Sequence, residues 1–573
     1  MKWFARGGSH MNYYMWVGGN QFGRWTGDAI TTMYAVDAMV CPDGLPHEPK
    51  FSQMAAMHSA IAKVAHVIAG DKAQLDHAKD LGGNAVAYIY GGESAGVAFI
   101  ECLDGCAGGR PRVVKLNGHT FKLPIARSSS LVDLKTGEVL FNTVTDHRVP
   151  GLEHRGLAAV ASPFEKAGWK QWREPVLAKD VPHGTYPSNC SFTQTSPLEQ
   201  TVFTMCLPPD HADAGARSKR STYALYETTV AGSHPSKLSV GTNQATTLFA
   251  FVDGVLTGHA QDLSHSRGSS VALDLDLGAG YEDESTARTV TIISEEMGYA
   301  NYGFKSQLRK GISGKVLLDG VDITSNAPHG WHMRGGLAGE HLAVFTAAGA
   351  EKVTWTPVTS DATGATWYKT AFDTPASVAS GDAKLLVNAT GLNRGRLWVN
   401  GHDAGRYYLD PRNKPVGCID SASGAKCSYN TSSPYSGSQC YGLQALRAGD
   451  ASAGACADAC CAQNEPTWQW SAKKDPKNGA DPGCWCGKCS SDFMPDPTWV
   501  GGHDTGSPST CATQTLYYVP KAWLSASGNS LVLFEGGGLG APGNINAVGL
   551  TVATMHSTDR EAIDFQNLHS CAF

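Results

Sequence analysis

Carboxylates, cysteines and clustered aromatics decide what chemistry this 573-residue chain could carry. Displacement chemistry with a nucleophile and an acid/base needs two carboxylates facing each other across roughly 5 to 5.5 Å. Glu295-Glu296 are adjacent in a run that reads as a strand, where neighbouring side chains point to opposite faces, so they cannot form such a pair. Glu465, in Asn464-Glu465-Pro466, lies inside a cysteine-rich stretch. The chain holds no Gly-x-Ser-x-Gly elbow, no phosphate-binding Walker loop, no dinucleotide fingerprint after a strand and no His-Glu-x-x-His. No catalytic residue and no cofactor are assigned.

Ten of the sixteen cysteines fall between Cys418 and Cys511, among them Cys456, Cys460, Cys461, Cys484, Cys486 and Cys489. A metal centre would want paired Cys-x-x-Cys or Cys/His blocks at regular distance. So many cysteines in a short segment that also carries an Asn-x-Ser sequon fit disulfide staples better, and no metal ligand is assigned. Trp468, Trp470 and Trp485 beside them either fill a small core or form a face for carbohydrate or protein; both readings stay open. Cys102 and Cys106 are near enough for a loop disulfide, which spacing alone does not decide.

Other elements must position whatever site exists. The apolar and aromatic run from Met11 to Val17, closing on Gly18-Gly19, predicts a buried strand opening into a loop, as where parallel barrels keep substrate contacts. Met54, Met57, Ile61, Val64, Ala65 and Ile68 recur at helical spacing and predict a helix over 49–68. Beyond it, short apolar runs separated by Asn117-Gly118, Asp253-Gly254 and Asn400-Gly401 predict hairpins. With 65 Gly, 28 Pro and only 17% charged residues, the text is β-rich, and its length allows several domains at about 150 residues each. Forty-six basic against fifty-two acidic residues, without a basic stripe, exclude nucleic acid as the expected partner. No stretch of about 18 apolar residues predicts a membrane span. A neutral ligand such as a sugar fits the balance.

The run Asn12-Tyr13-Tyr14-Met15-Trp16-Val17-Gly18-Gly19-Asn20-Gln21-Phe22-Gly23-Arg24 resembles the glycoside hydrolases of family 35, the β-galactosidases, where a similar sequence forms the last barrel strand and its loop. Trp16, Val17, Asn20 and Gln21 depart from that pattern. Ile30 to Ala38 is similar to a following motif that touches galactose, with Val36 in place of a tyrosine and so without a hydroxyl. Three further blocks match in the family's order. They are Leu116 to Pro124 with Phe141-Asn142-Thr143, then Gly298 to Gly303 with Lys315 to Gly320, and last Trp398-Val399-Asn400-Gly401 through Arg406-Tyr407-Tyr408 with Gly528 to Glu535.

The resemblance implies a mainly β chain: the remnant of a (β/α)8 barrel, an antiparallel β-sandwich and galactose-binding-like jelly rolls, with a cysteine-rich insert. The expected domains are 1–70 as the last strand, loop and helix of a catalytic barrel, 71–149 as a small antiparallel domain and 150–221 as an irregular connector. A first jelly roll over 222–350, a second one split between 351–411 and 512–557, the insert at 412–511 and a tail at 558–573 follow. The family's two glutamates lie upstream of its matching strand, so the chain reads as a truncated β-galactosidase-like hydrolase of terminal β-D-galactosyl residues, retaining in its full-length parent. The alternative is a non-catalytic carbohydrate-binding or scaffold protein. Asn12 and Tyr34 are the expected contacts to a galactoside, along with the loop from Gly18 to Arg24. Residues 1–68, lacking a barrel to pack on, are expected to be the least ordered. The cysteines, the sequons at Asn189, Asn388 and Asn430 and the resemblance together imply a secreted, cell-wall or vacuolar/lysosomal glycoprotein.

Overall fold

A computed structural model describes residues 1–24, 27, 32, 38–48, 50–69, 75–102, 112–123, 128–146, 153–161, 163–165, 167–194, 199–200, 221–230, 236–242, 246–262, 269–275, 287–298, 310–324, 330–358, 364–408, 429–430, 438–440, 443–445, 452–453, 455–456, 460, 467–472, 482–487, 493–495, 498–504, 514–537 and 544–557. Among these, every pair of strands is antiparallel, and helices are few. Two compact units result, one built on Met1–Leu409 with Gln514–Ala562 and the other on Asp410–Thr513.

Two β-sandwiches dominate the larger unit. In the first, a six-stranded sheet ordered Ser191–Gln194, Trp331–Gly335, Tyr223–Val230, Arg288–Glu296, Thr246–Val252 and Val255–Asp262 faces a four-stranded sheet built around Ser236–Thr242. Tyr226, Leu248, Ile292, Trp331, Leu238 and Val316 fill the space between them. The second pairs Thr356–Pro357, Lys170–Arg173, Thr366–Phe372, Asn529–Glu535, Arg394–Val399 and His402–Tyr408 with Leu516–Val519, Lys384–Asn388, Gly549–Ser557 and Glu153–Ala159. Leu385, Val387, Leu397, Tyr407, Leu531 and Leu533 form its core. Strand alternation gives each six-stranded sheet a second apolar face, and these faces pack on one another through Tyr223, Phe249, Ile293, Trp367, Trp398 and Phe534. Phe345 stacks on Trp398 with centroids 4.8 Å apart, and Trp367 lies 5.3 Å from Trp398.

The turns explain the register. Asn117-Gly118, Asp253-Gly254, Asp319-Gly320 and Asn400-Gly401 all place both central residues at positive φ, the geometry whose twist matches the flanking strands. The stretch expected as a connector supplies strands to both sandwiches: Glu153–Ala159 and Lys170–Arg173 to the second, Ser191–Gln194 to the first. Its Pro and His content hid strands at or next to the sheet edges, which carry little alternation of their own.

The helix spans Lys50–Ile68. It does not lie unpacked as expected: Met57, Ala60, Val64 and Ile68 are buried with Tyr90, Phe99, Leu131 and Phe141 of the sheet formed by Leu75–Asp80, Ala85–Tyr90, Val97–Cys102, Ser128–Asp133 and Val139–Asn142. An apolar stripe accepts any complementary apolar face, and here it takes the following sheet. Residues 11–17, expected as a buried strand, are irregular; Tyr14 is 84% and Trp16 55% exposed. Among the described residues they pair only through a single parallel bridge between Val17 and Val40. One bridge cannot bury an apolar run on two faces, which is what a parallel strand requires.

In the smaller unit, Thr467–Ser471 is the centre of a sheet with Gly483–Gly487 and Trp499–Asp504 beside it. Disulfides Cys456–Cys484 and Cys460–Cys486 staple it, with Cα separations of 5.2 and 5.6 Å. Cys41, Cys102 and Cys190 are disulfide-bonded as well.

Candidate functional site

Of the two residues expected to meet a sugar, Asn12 is exposed, and Tyr34 lies outside the described residues, as does Val36. A cleft of about 760 Å³ near the start of the chain is lined by Lys2, Trp3, Arg6 and Gly7 to His10, so neither Asn12 nor the Gly18–Arg24 loop belongs to it. Tyr13 and Trp16 lean on the long helix instead, with ring centroids 5.3 Å from His58 and 5.6 Å from Phe51.

The loop is fastened at both ends. Asn20 donates its side-chain amide to the Pro42 carbonyl at 2.6 Å. Gly23 donates its N–H to the Asp403 carbonyl at 2.9 Å and accepts from Arg396 Nη2 at 2.6 Å. The Phe22 ring packs 4.8 Å from that of Trp523. Arg24 reaches Glu340 at 2.6 Å, with the arginine side chain 10% exposed and the glutamate fully buried. Downstream, Thr32 is hydrogen-bonded to Gln514 through both its N–H and its hydroxyl. The loop covers the edge strand His402–Tyr408, whose free backbone edge would otherwise be open to other strands.

Behind it lies an interior rich in charge. Arg396 pairs with Asp403 at 2.7 Å, and Arg394 stacks on Tyr408 at 3.7 Å while donating to Thr247. Tyr223 donates to Glu295 at 3.1 Å. Burial pushes the Glu295 and Glu296 carboxyls up, against the pull of Arg394 on the first and Arg406 on the second. Burial would also raise Glu340, but Arg24, the Leu337 N–H and the Ser221 hydroxyl override it and hold its carboxyl below the ordinary value. Among crowded cations, burial and then Arg396 bring Arg406 down to about 10.

Glu295 and Glu296, 2% and 5% exposed, share the strand Arg288–Glu296 and leave it on alternate sides. A carboxylate sealed this way and turned toward arginine cannot reach a glycosidic carbon. The same holds for Glu174, Glu340 and Glu535, each buried and accepting backbone N–H groups. These groups lock sheets together and position the loop. Sequence reasoning missed Arg24–Glu340 and Thr32–Gln514 because the partners stand 316 and 482 residues apart, and no local pattern encodes such pairs.

The cysteines at the centre of the insert are also resolved in role. Sulfurs of Cys456, Cys460 and Cys484 lie within 4.8 Å of one another, a spacing that three metal ligands would show. Each is bonded to another sulfur, however, and so has no thiolate to give.

Fold and site together define a protein of stacked antiparallel jelly-roll sandwiches with a disulfide-stapled insert. Residues 365–439 match the family model described as the galactose-binding domain of β-galactosidase. Nearly the whole chain is similar to plant β-galactosidases: it is 27% identical to β-galactosidase 6 of Oryza sativa subsp. japonica over 559 residues, 93% of this chain and 52% of the relative. To β-galactosidase 8 of Arabidopsis thaliana it is 27% identical over 548 residues, 93% of the chain and 51% of the relative. To β-galactosidase 3 of Oryza sativa subsp. japonica it is 26% identical over 572 residues, 97% of the chain and 53% of the relative. Along nearly its whole length the chain is similar to β-galactosidases, and it spans about half the length of the curated relatives it matches.

Proposed function

We propose that this chain is the sugar-recognising, jelly-roll portion of a β-galactosidase-like glycoside hydrolase that acts on terminal β-D-galactosyl residues of glycans. The observation that carries the reading is the match of residues 365–439 to a β-galactosidase galactose-binding domain within a chain that aligns along 93% of its length with half of a β-galactosidase. Retaining hydrolysis then belongs to a longer parent whose barrel supplies both glutamates. Asn12, Tyr34 and the loop from Gly18 to Arg24 would face the galactoside. Val17 and Val36 leave room for a sugar other than galactose. Disulfides at Cys456–Cys484 and Cys460–Cys486 favour a secreted, cell-wall or vacuolar setting, where such bonds persist.

A non-catalytic carbohydrate-binding protein is the second reading. It is favoured by the inward pairing of Glu174, Glu295, Glu296, Glu340 and Glu535, which leaves none of them for a substrate. Assays of a chromogenic β-galactoside with the 573-residue chain, and with a version extended upstream in frame, separate the two. The chain alone should give no turnover, because position without a nucleophile yields no covalent step. Turnover by the extended protein supports the hydrolase reading. An extended protein that binds lactose without cleaving it would favour the second, and failure to bind any galactoside would sink both.

A further inference from the structure

We infer that the turn Phe22–Arg24 is the joint through which both sandwiches hold the Gly18–Asn20 loop, with Arg24 and Glu340 as its positioning residues. This rests on the proposed function for one half only, namely that the loop faces a galactoside.

Three residues in a row, Phe22 to Arg24, engage both sandwiches. Glu340 follows the strand Trp331–Gly335 of the first sandwich and also accepts from Leu337 N–H at 2.9 Å and Ser221 Oγ at 2.5 Å. Asp403 and Arg396 belong to the second, and they grip Gly23 from its N–H and its carbonyl respectively. On its other side the loop hangs from the Val17–Val40 bridge and the bond from Asn20 to Pro42. Gly18 and Gly19 therefore bridge two anchors, and Gly19 sits at φ +71°, a conformation open to glycine at little cost.

The pair is a poor stabiliser. Burying two charges offsets most of their attraction, and Arg24 Nη1 is buried with no hydrogen-bond partner among the described residues. What the pair does supply is register: Glu340 is itself held by the Leu337 N–H and the Ser221 hydroxyl, so the point at which it offers a charge to residue 24 is fixed. Sliding the joint by one residue would put Phe22 where Gly23 is held between Asp403 and Arg396.

The test uses the complete chain and lactose as probe. Glu340→Gln should speed amide hydrogen exchange across residues 18–23 at least tenfold and weaken lactose binding threefold or more. Exchange in Leu531 to Phe534, the core strand of the second sandwich, should not change. Arg24→Met should behave alike, and Arg24→Lys, which keeps the ion pair, should restore most of both readouts. Unchanged exchange in 18–23 would overturn the joint, as would an equal rise in Leu531 to Phe534, which would make the pair a general stabiliser. If the wild-type chain binds no lactose, the sugar-facing half and the functional reading fall together, while the exchange result still judges the joint. Should Glu340→Gln fail to fold, the contrast between Arg24→Met and Arg24→Lys decides in its place.

Discussion

Trp367 donates its indole N–H to Glu174 Oε2 at 2.7 Å, and the same carboxylate accepts from Gly339 N–H at 3.1 Å and from Ala338 N–H. One buried side chain thus ties the strand Lys170–Arg173, which it follows, to the neighbouring strand Thr366–Phe372 of the second sandwich and to the short helix Ala338–Leu342. Burial outweighs these donors and pushes Glu174 up to about 7; burial likewise takes Glu535 up to about 8 against its N–H donors from Asn393 and Arg394.

Stability should therefore fall as pH rises. A carboxyl whose proton affinity is higher folded than unfolded stabilises the fold fully below its unfolded value near 4.5, and that contribution is lost as pH climbs through its folded value, here about 7 to 8. Each tenfold gain in proton affinity is worth about 1.4 kcal/mol. Half-buried His332 and buried His341 are held low mainly by burial and act with opposite sign at acid pH, so the clean window lies above 6.5. Thermal melts from pH 6.5 to 8.5 should show a falling Tm, and Glu174→Gln should flatten the slope. A Tm that rises over this range would contradict the assignment.

Two glycines mark where backbone and loop come too close for a side chain. At Gly395 a Cβ would stand 1.6 Å from the Phe534 carbonyl oxygen on the paired strand. Gly395→Ala should destabilise by more than about 4 kcal/mol, since two core strands would have to part. At Gly405 the clash is with Thr32 Cγ2 at 2.2 Å, and φ is +114°. Thr32 can turn aside, so Gly405→Ala should cost less, on the order of 1 to 3 kcal/mol. Chemical denaturation of both variants checks the order; equal losses would mean that the covering segment is as rigid as the sheet.

Much of the β architecture is legible in the sequence because its signals are local. Ala85–Tyr90 and Val97–Cys102 have the bounds that their apolar runs predict, and Asn400-Gly401 announces its hairpin. What hydrophobic pattern does not tell is the partner. The stripe Met57, Val64 and Ile68 reads as a helix face whether a barrel or a sheet covers it. The run at Tyr13 to Val17 reads as a strand although strand formation depends on neighbours that the run itself does not encode. Arg24–Glu340 lies beyond local reading for the same reason: each residue alone is an ordinary surface type, and only the folded chain brings them together in the dry interior.

The cysteine-rich unit depends on its staples. Among the described residues, Cys456, Cys460, Trp468, Cys484 and Cys486 form its buried apolar cluster, so half-cystines stand where a larger domain would have leucine or valine. Closing loops of 28 and 26 residues should stabilise the unit by roughly 3 to 4 kcal/mol each, chiefly by restricting the unfolded chain. Reduction should therefore unfold it first. Hydrogen exchange under a dithiol reductant should lose protection across Thr467–Ser471 and Gly483–Gly487, while Leu531 to Phe534, enclosed by the aliphatic core of the second sandwich, keeps theirs. Peptide mapping after alkylation without reduction should recover Cys456 linked to Cys484 and Cys460 to Cys486, with none of the four alkylated. Free thiols at these positions together with bound zinc would overturn the staples, since the close-set sulfurs of Cys456, Cys460 and Cys484 would then be ligands.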